Sequence, residues 1–296
     1  DLLINAVKYG LKWVNTLPVL SNGLYDPGGT REDHIRPPAS EAVGLATALK
    51  TGIYQAEITG VSEEEAIQRT CRLIESVAFR HTSNSGNGWG NSWQSALWAA
   101  LAGQAGFMMW NHLDQEAQNR IARMITHEAN RFNHYIVPYY RNKKGEILFS
   151  GDSKGEENSW NAMVLQVAVA MMPDHPNSSI WKRKCVELMI SAYARPSDVN
   201  KMEMIDGNPL GDWLNGSNLE ENGTLINHDL IHNDYMCTVE QNLRSCLLFS
   251  LGEADIPQAA FFNAEVIYNA FVNLEFEAPP YDPPGGTMYI PGSPEQ

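Results

Sequence analysis

The stretch that decides the fold is Ser92-Trp-Gln-Ser-Ala-Leu-Trp-Ala-Ala-Leu-Ala-Gly-Gln-Ala-Gly-Phe-Met-Met-Trp110, followed at once by Asn111-His-Leu-Asp114. It is apolar on every side and rich in Ala and Leu, both strong helix formers. It is also far longer than a strand of about 5–6 residues. The spacing therefore predicts a buried helix over 92–110. Asp114 is a good N-cap for a second helix running to Phe132. Two helices joined by so short a turn lie antiparallel, as a helical hairpin.

The same pattern recurs outward from this hairpin. A helix over 2–16 carries Leu3, Val7, Leu11 and Val14 on one side. A Gly- and Pro-rich loop over 18–38 leads to Pro37-Pro38, Ser40 and Glu41, which predict a helix start and a helix over 39–51. Ser62 and Glu65 form a capping box for a helix over 62–80. Further helices are predicted over 157–172, 179–194, 235–251 and 257–274. Residues 135–149 read as irregular or as a short hairpin turning at Lys144-Gly145, and 196–234 mostly as loop. The helices pair as 39–51 with 62–80, 92–110 with 114–132, 157–172 with 179–194, and 235–251 with 257–274. Short turns lie within pairs, and long polar linkers lie between them. No internal period of about 34–40 residues supports a solenoid. The expected fold is all-α: an incomplete (α/α) toroid of antiparallel helical hairpins over 1–277. An irregular tail over 278–296 is expected to lead to a missing C-terminal region.

Composition bounds the partners. Net charge is −14, and no basic stripe fits a phosphate backbone, so nucleic acid is excluded as a partner. No apolar run reaches the roughly 18 residues that membrane insertion requires. The four Cys have no CxxC spacing, which argues against a zinc ribbon or redox motif. Cys71, Cys185 and Cys246 read as core thiols. The eight Trp and eleven Tyr supply faces on which sugar rings can stack, although most such rings belong to cores.

Three polar stretches carry candidate chemistry. His81-Thr-Ser-Asn-Ser-Gly-Asn-Gly-Trp-Gly-Asn-Ser-Trp-Gln94 sets Asn91 and Gln94 amides beside Trp89 and Trp93, a set suited to sugar hydroxyls and ring faces. The competing reading is a Gly-rich turn with Trp93 packed in the core. Gly155-Glu-Glu-Asn-Ser-Trp-Asn161 opens a helix on which Asn158 and Asn161 share a face and flank Trp160. Glu156 and Glu157 read as acids favoured by the helix dipole. The third stretch, Glu221 to Met236, packs Asn227, His228, Asp229, His232, Asn233, Asp234 and Tyr235 into nine positions. A metal reading of His228, Asp229, His232 and Asp234 requires that segment to be helical. Arg31, Arg36 and Arg80 are candidate basic contacts. No cofactor and no metal is expected.

A His, a Tyr and an amide in one cleft can remove a proton from the carbon next to a carboxylate and protonate the leaving glycosidic oxygen. The hairpin organisation, the Asn-bearing helix start and the Asn-His…Tyr run resemble the toroid class of polysaccharide lyases. That group includes chondroitin, hyaluronate, xanthan and alginate or glucuronan lyases. The resemblance covers most of the chain in architecture and two short motifs in residues. It implies Asn158 or Asn161 as the carboxylate neutraliser, His228 as base and Tyr235 as acid, with Glu240 or Arg244 in support. The seven-residue step from His228 to Tyr235 leaves His232 open as the base. Trp89, Trp93, Gln94, Asn91, Trp160, Asn227, His232 and Arg36 are then the expected substrate-binding residues. The implied activity is β-elimination on an anionic, uronic-acid polysaccharide. The implied location is secreted or periplasmic, with no signal peptide in this chain. Alternatives are a glycoside hydrolase on an (α/α) barrel, pairing Asp152 or Glu157 with Asp229 or Asp234, and a non-catalytic carbohydrate-binding module.

Overall fold

A computed structural model describes residues 2–273. The predicted tail and the last residues of the predicted final helix lie outside the described residues. The chain is mostly helical with a few two-residue strands, and so all-α. It divides into two compact units. Among the described residues, unit one comprises 2–134 with 164–181, and unit two comprises 135–163 with 182–273.

Unit one is built from α1 (Leu2–Val14), α2 (Glu32–Lys50), α3 (Ala56–Thr59), α4 (Glu63–Phe79), α5 (Thr82–Ser85), α6 (Ser95–Met108) and α7 (Gln115–Asn130). Helix α6 is the central element, buried on all sides and packed on α2, α4 and α7. An all-round apolar helix belongs in such a place. Gly106 lets it approach α7, since a Cβ there would lie 3.0 Å from Ile121 Cδ1 and 3.3 Å from Ile121 Cγ2. The predicted caps form. Ser62 Oγ accepts the Glu65 N–H at 3.2 Å, and Asp114 Oδ1 accepts the Ala117 N–H at 2.8 Å. Each contributes about 1 kcal/mol.

The start of α2 corrects the sequence reading. The helix begins at Glu32, so Pro37 and Pro38 lie inside it. Acidic Glu32 and Asp33 favour the N-terminal end of the dipole, and Arg36 pairs with Glu32 one turn on at 2.7 Å. Both prolines fall close enough to this end that the carbonyls they leave without helical donors belong to the first turn.

Helices α8 (Gly155–Met171) and α9 (Ser178–Ala192) each contribute residues to both units. Unit two takes 155–163 of α8, 182–192 of α9, and the elements that follow. These are α10 (Leu210–Trp213), α11 (Asn233–Cys237), α12 (Val239–Leu243), α13 (Ser245–Leu251) and α14 (Ala264–Asn273). Three antiparallel ladders join them: β1 (Arg141–Asn142) with β4 (Gly216–Ser217), β2 (Met204–Ile205) with β3 (Asn208–Pro209), and β5 (Ile226–Asn227) with β6 (Leu230–Ile231). Ala192, Tyr193, Leu219, Leu225, Met236 and Ile267 form a core against which Ile231, Tyr235, Val239, Ala270 and Phe271 pack. Gly155 is required at the start of α8, because a Cβ there would lie 2.7 Å from Leu225 Cδ1 and 2.8 Å from the Ala192 carbonyl oxygen.

The predicted helix over 235–251 is three short helices. The Thr238 hydroxyl donates back to the Tyr235 carbonyl at 2.6 Å, and i→i+3 bonds tighten the chain on either side of it. The predicted helix over 257–274 divides into a 3₁₀ turn at Gln258–Phe261 and α14. Asp206, with φ of 46°, accepts the Gln258 and Ala259 N–H groups and anchors that turn. All four cysteines are free thiols. Cys185 is buried, Cys71 and Cys246 are partly buried, and Cys237 is exposed.

Candidate functional site

The candidate site lies in unit two, at the tip of the β5–β6 hairpin. Two residues, His228 and Asp229, connect paired Asn227 and Leu230, and both have positive φ (51° and 62°). This is the backbone of a type I′ hairpin turn, which usually takes Asn or Gly. A histidine held in the left-handed region is uncommon, and such strain concentrates at functional positions. The neighbouring segment holds the turn in place. The Asp229 N–H donates to the Gly151 carbonyl at 3.0 Å, and the Ser153 N–H donates to the Ile226 carbonyl at 2.8 Å.

From that turn His228 Nε2 lies 3.2 Å from the Tyr235 hydroxyl. His228 is exposed and Tyr235 half-buried, so the pair sits at the surface. Beneath it, His232 stacks on the Tyr235 ring, with centroids 4.1 Å apart and planes 17° apart. His232 is 2% exposed. The two histidines therefore differ in role. His228 meets the phenolic oxygen, and His232 supports the ring from the core side. Segment 226–231 is a hairpin rather than a helix, and although the His228 and His232 rings lie 5.5 Å apart, His228, Asp229, His232 and Asp234 do not bring three ligand atoms within 4.8 Å of one another.

The asparagines separate similarly. Asn158 is wholly buried, and its amide donates to the Pro138 carbonyl at 3.0 Å and to Ser191 Oγ at 3.1 Å. Its role is packing, and as a carboxylate neutraliser it is corrected. Asn161 is also buried, at 4% exposed, and its Oδ1, like that of Asn158, has no hydrogen-bond donor among the described residues. Asn227 is turned inward, with Nδ2 placed 3.0 Å from Glu156 Oε1 and 3.3 Å from Asp152 Oδ1. It binds the hairpin rather than a substrate. Arg244 and Glu240 form a two-bond pair with each other, at 2.7 and 2.8 Å. Trp160 is buried, which corrects its reading as a stacking face.

Glu156 was legible in the sequence only as a helix-dipole acid. It is 4% exposed, and burial pushes its carboxyl up to about 8, with Asp152 and Glu157 adding to the rise. Its Oε2 has no hydrogen-bond partner among the described residues. Lys154 is drawn instead to Asp152 at 2.6 Å and Glu157 at 3.6 Å.

In unit one the Gly-rich stretch forms a different centre. Buried Glu128 accepts from His81 Nε2 at 3.2 Å, the Asn91 N–H at 3.0 Å, Ser95 Oγ at 2.8 Å and Arg131. Burial raises a carboxyl, but here these donors and the Arg131 charge prevail and hold Glu128 at about 2. His81, His127 and Glu128 bring ligand-type atoms within 4.8 Å of one another. Their hydrogen bonds argue against a metal centre. His81 Nδ1 accepts the Ser83 N–H at 3.1 Å, so Nε2 carries the proton given to Glu128, and Arg131 already supplies the cation. Trp89 is corrected from platform to core, because it is 2% exposed and its indole N–H donates to the Val77 carbonyl at 2.9 Å. The Asn91 amide meets His127 Nε2 at 2.9 Å. Gln94, with its amide oriented to donate, meets Glu32, the partner of Arg36. Trp93 is 61% exposed, so the core reading does not apply to it.

The chain matches no family model, no curated protein and no solved structure. Among the described residues no helix is long and apolar enough to cross a membrane.

Proposed function

We propose that this protein is a polysaccharide lyase that cleaves a uronic-acid glycan by β-elimination. The fold proposed with it is a toroid of antiparallel helical hairpins, and the proposed location is secreted or periplasmic. The observation that carries the reading is the surface contact between His228 Nε2 and the Tyr235 hydroxyl at 3.2 Å. Elimination needs a base at the carbon next to the carboxylate and an acid at the glycosidic oxygen on the neighbouring carbon, two bonds away. Two groups in mutual hydrogen-bond contact can reach that carbon and that oxygen of one sugar linkage. In this reading His228 takes the carbon-bound proton, and Tyr235 gives its phenolic proton to the leaving oxygen. Asn161 is the amide proposed to stabilise the charge that develops on the uronate. His232 keeps the Tyr235 ring in line.

The rival is a glycoside hydrolase using two carboxylates. It is favoured by one observation: the Asp229 carboxylate packs directly against Gly151, beside Asp152. Tyr235→Phe separates the two when cleavage of polyuronates is followed both by ultraviolet absorbance of unsaturated ends and by new reducing ends. For the lyase, both signals fall in the variant. Reducing ends without absorbance, unaffected by the substitution, would show a hydrolase.

A further inference from the structure

We infer that Glu156 is a positioning residue for His228, acting as a neutral buried acid that binds the β5–β6 hairpin through Asn227. The hairpin is hydrogen-bonded to segment 151–156 at three points. Two are the backbone bonds from Asp229 to Gly151 and from Ser153 to Ile226. The third is the Asn227 amide, 3.0 Å from Glu156 Oε1 and next in the chain to His228. The third point alone contains a titratable group enclosed by protein.

The proton state follows from the surroundings. A neutral acid keeps Oε1 as a carbonyl acceptor for Asn227 and places its proton on Oε2. An ionised Glu156 carries charge on Oε2, where the described residues offer no donor. The groups around it are Asp152 and Glu157, which repel that charge; Lys154, which attracts it but is bound to both of those acids; and buried Tyr193. Its own backbone N–H favours the charged form but is outweighed by burial; water is the further source of donors, and admitting it loosens the Asn227 contact. His228 then loses a restraint on a backbone conformation it does not favour. Under the lyase reading, on which only this consequence rests, the result is an alkaline limit to activity that belongs to neither His228 nor Tyr235.

The test is NMR titration of the full chain from about pH 3 to 10, a window spanning the ordinary and raised carboxyl values. The Glu156 side-chain carbonyl carbon and the His228 and Asp229 backbone amides are followed together. A shared midpoint near the value of about 8 is expected. Glu156→Gln should remove that step from both amides and should also remove the alkaline fall in elimination rate. Amides that stay still while the carboxyl titrates, or that keep the same step in the Gln variant, overturn the inference. The wild-type measurement alone decides it if the variant does not fold. The shared step without any unsaturated product leaves the positioning role intact and defeats only the lyase reading.

Discussion

Glu128 in unit one and Glu156 in unit two are both buried glutamates, yet their environments push them in opposite directions. Glu128 collects two side-chain donors, a backbone N–H and an arginine, and is held at about 2. Glu156 receives one side-chain amide and its own backbone N–H, which burial outweighs; it has acids for neighbours and rises to about 8. Burial alone does not set a carboxyl's state; the supply of donors does. A saturated carboxylate works as a structural tie, and an undersupplied one keeps a proton at neutral pH. The first organises the Gly-rich stretch of unit one, and the second lies behind the His228 turn.

The largest test of this contrast is Glu128→Ala. It leaves His81, Ser95 and the Arg131 charge without their shared acceptor, and should destabilise the protein by about 3–5 kcal/mol in denaturant titration. The Glu128 contribution is present above the ordinary carboxylate pKa of 4.5 and is lost as pH falls toward about 2. Glu156→Gln should act in the opposite sense and more weakly. The folded protein holds a proton that the unfolded chain has released between 4.5 and about 8, so wild-type stability declines as pH rises through that window. The Gln variant should therefore be more stable by roughly 1–3 kcal/mol near pH 8, with the gap closing below 4.5. If both substitutions destabilise equally at every pH, the contrast is wrong. The smallest effect is expected at exposed Trp93. Trp93→Ala should change stability by no more than about 0.5 kcal/mol. It should weaken retention on a polyuronate column if the ring is a stacking face.

Sequence reading reached local features well. Ser62 and Asp114 cap the helices they were expected to cap, because a cap is decided within four residues. The apolar run over 92–110 became a central helix because its composition leaves no polar face. Failures arose where distant groups decide. Glu156 reads as a dipole acid until Asn227, 71 positions away, is seen against it. The His81–Glu128 contact spans 47 positions and carries no motif. Pro37-Pro38 resembles a helix start because proline suits a first turn, whereas the acidic Glu32-Asp33 turn before it begins the helix. The helix over 235–251 was drawn unbroken because the Thr238 hydroxyl, which bonds the Tyr235 carbonyl and meets the Tyr193 hydroxyl at 2.9 Å, has a tertiary partner that periodicity cannot reveal. Within the candidate site the residue types were legible, but not their division. Both histidines and the asparagines Asn158, Asn161 and Asn227 read as candidates; burial separates His228 from His232, and amide partners separate Asn158 from Asn161.

The most direct measurement of the proposed chemistry uses a polyuronate deuterated at the carbon next to the carboxylate. Elimination at the His228–Tyr235 pair predicts one deuteron released to water for every linkage cut, with release and cleavage falling together in Tyr235→Phe. Linkages cut with the label retained would contradict it.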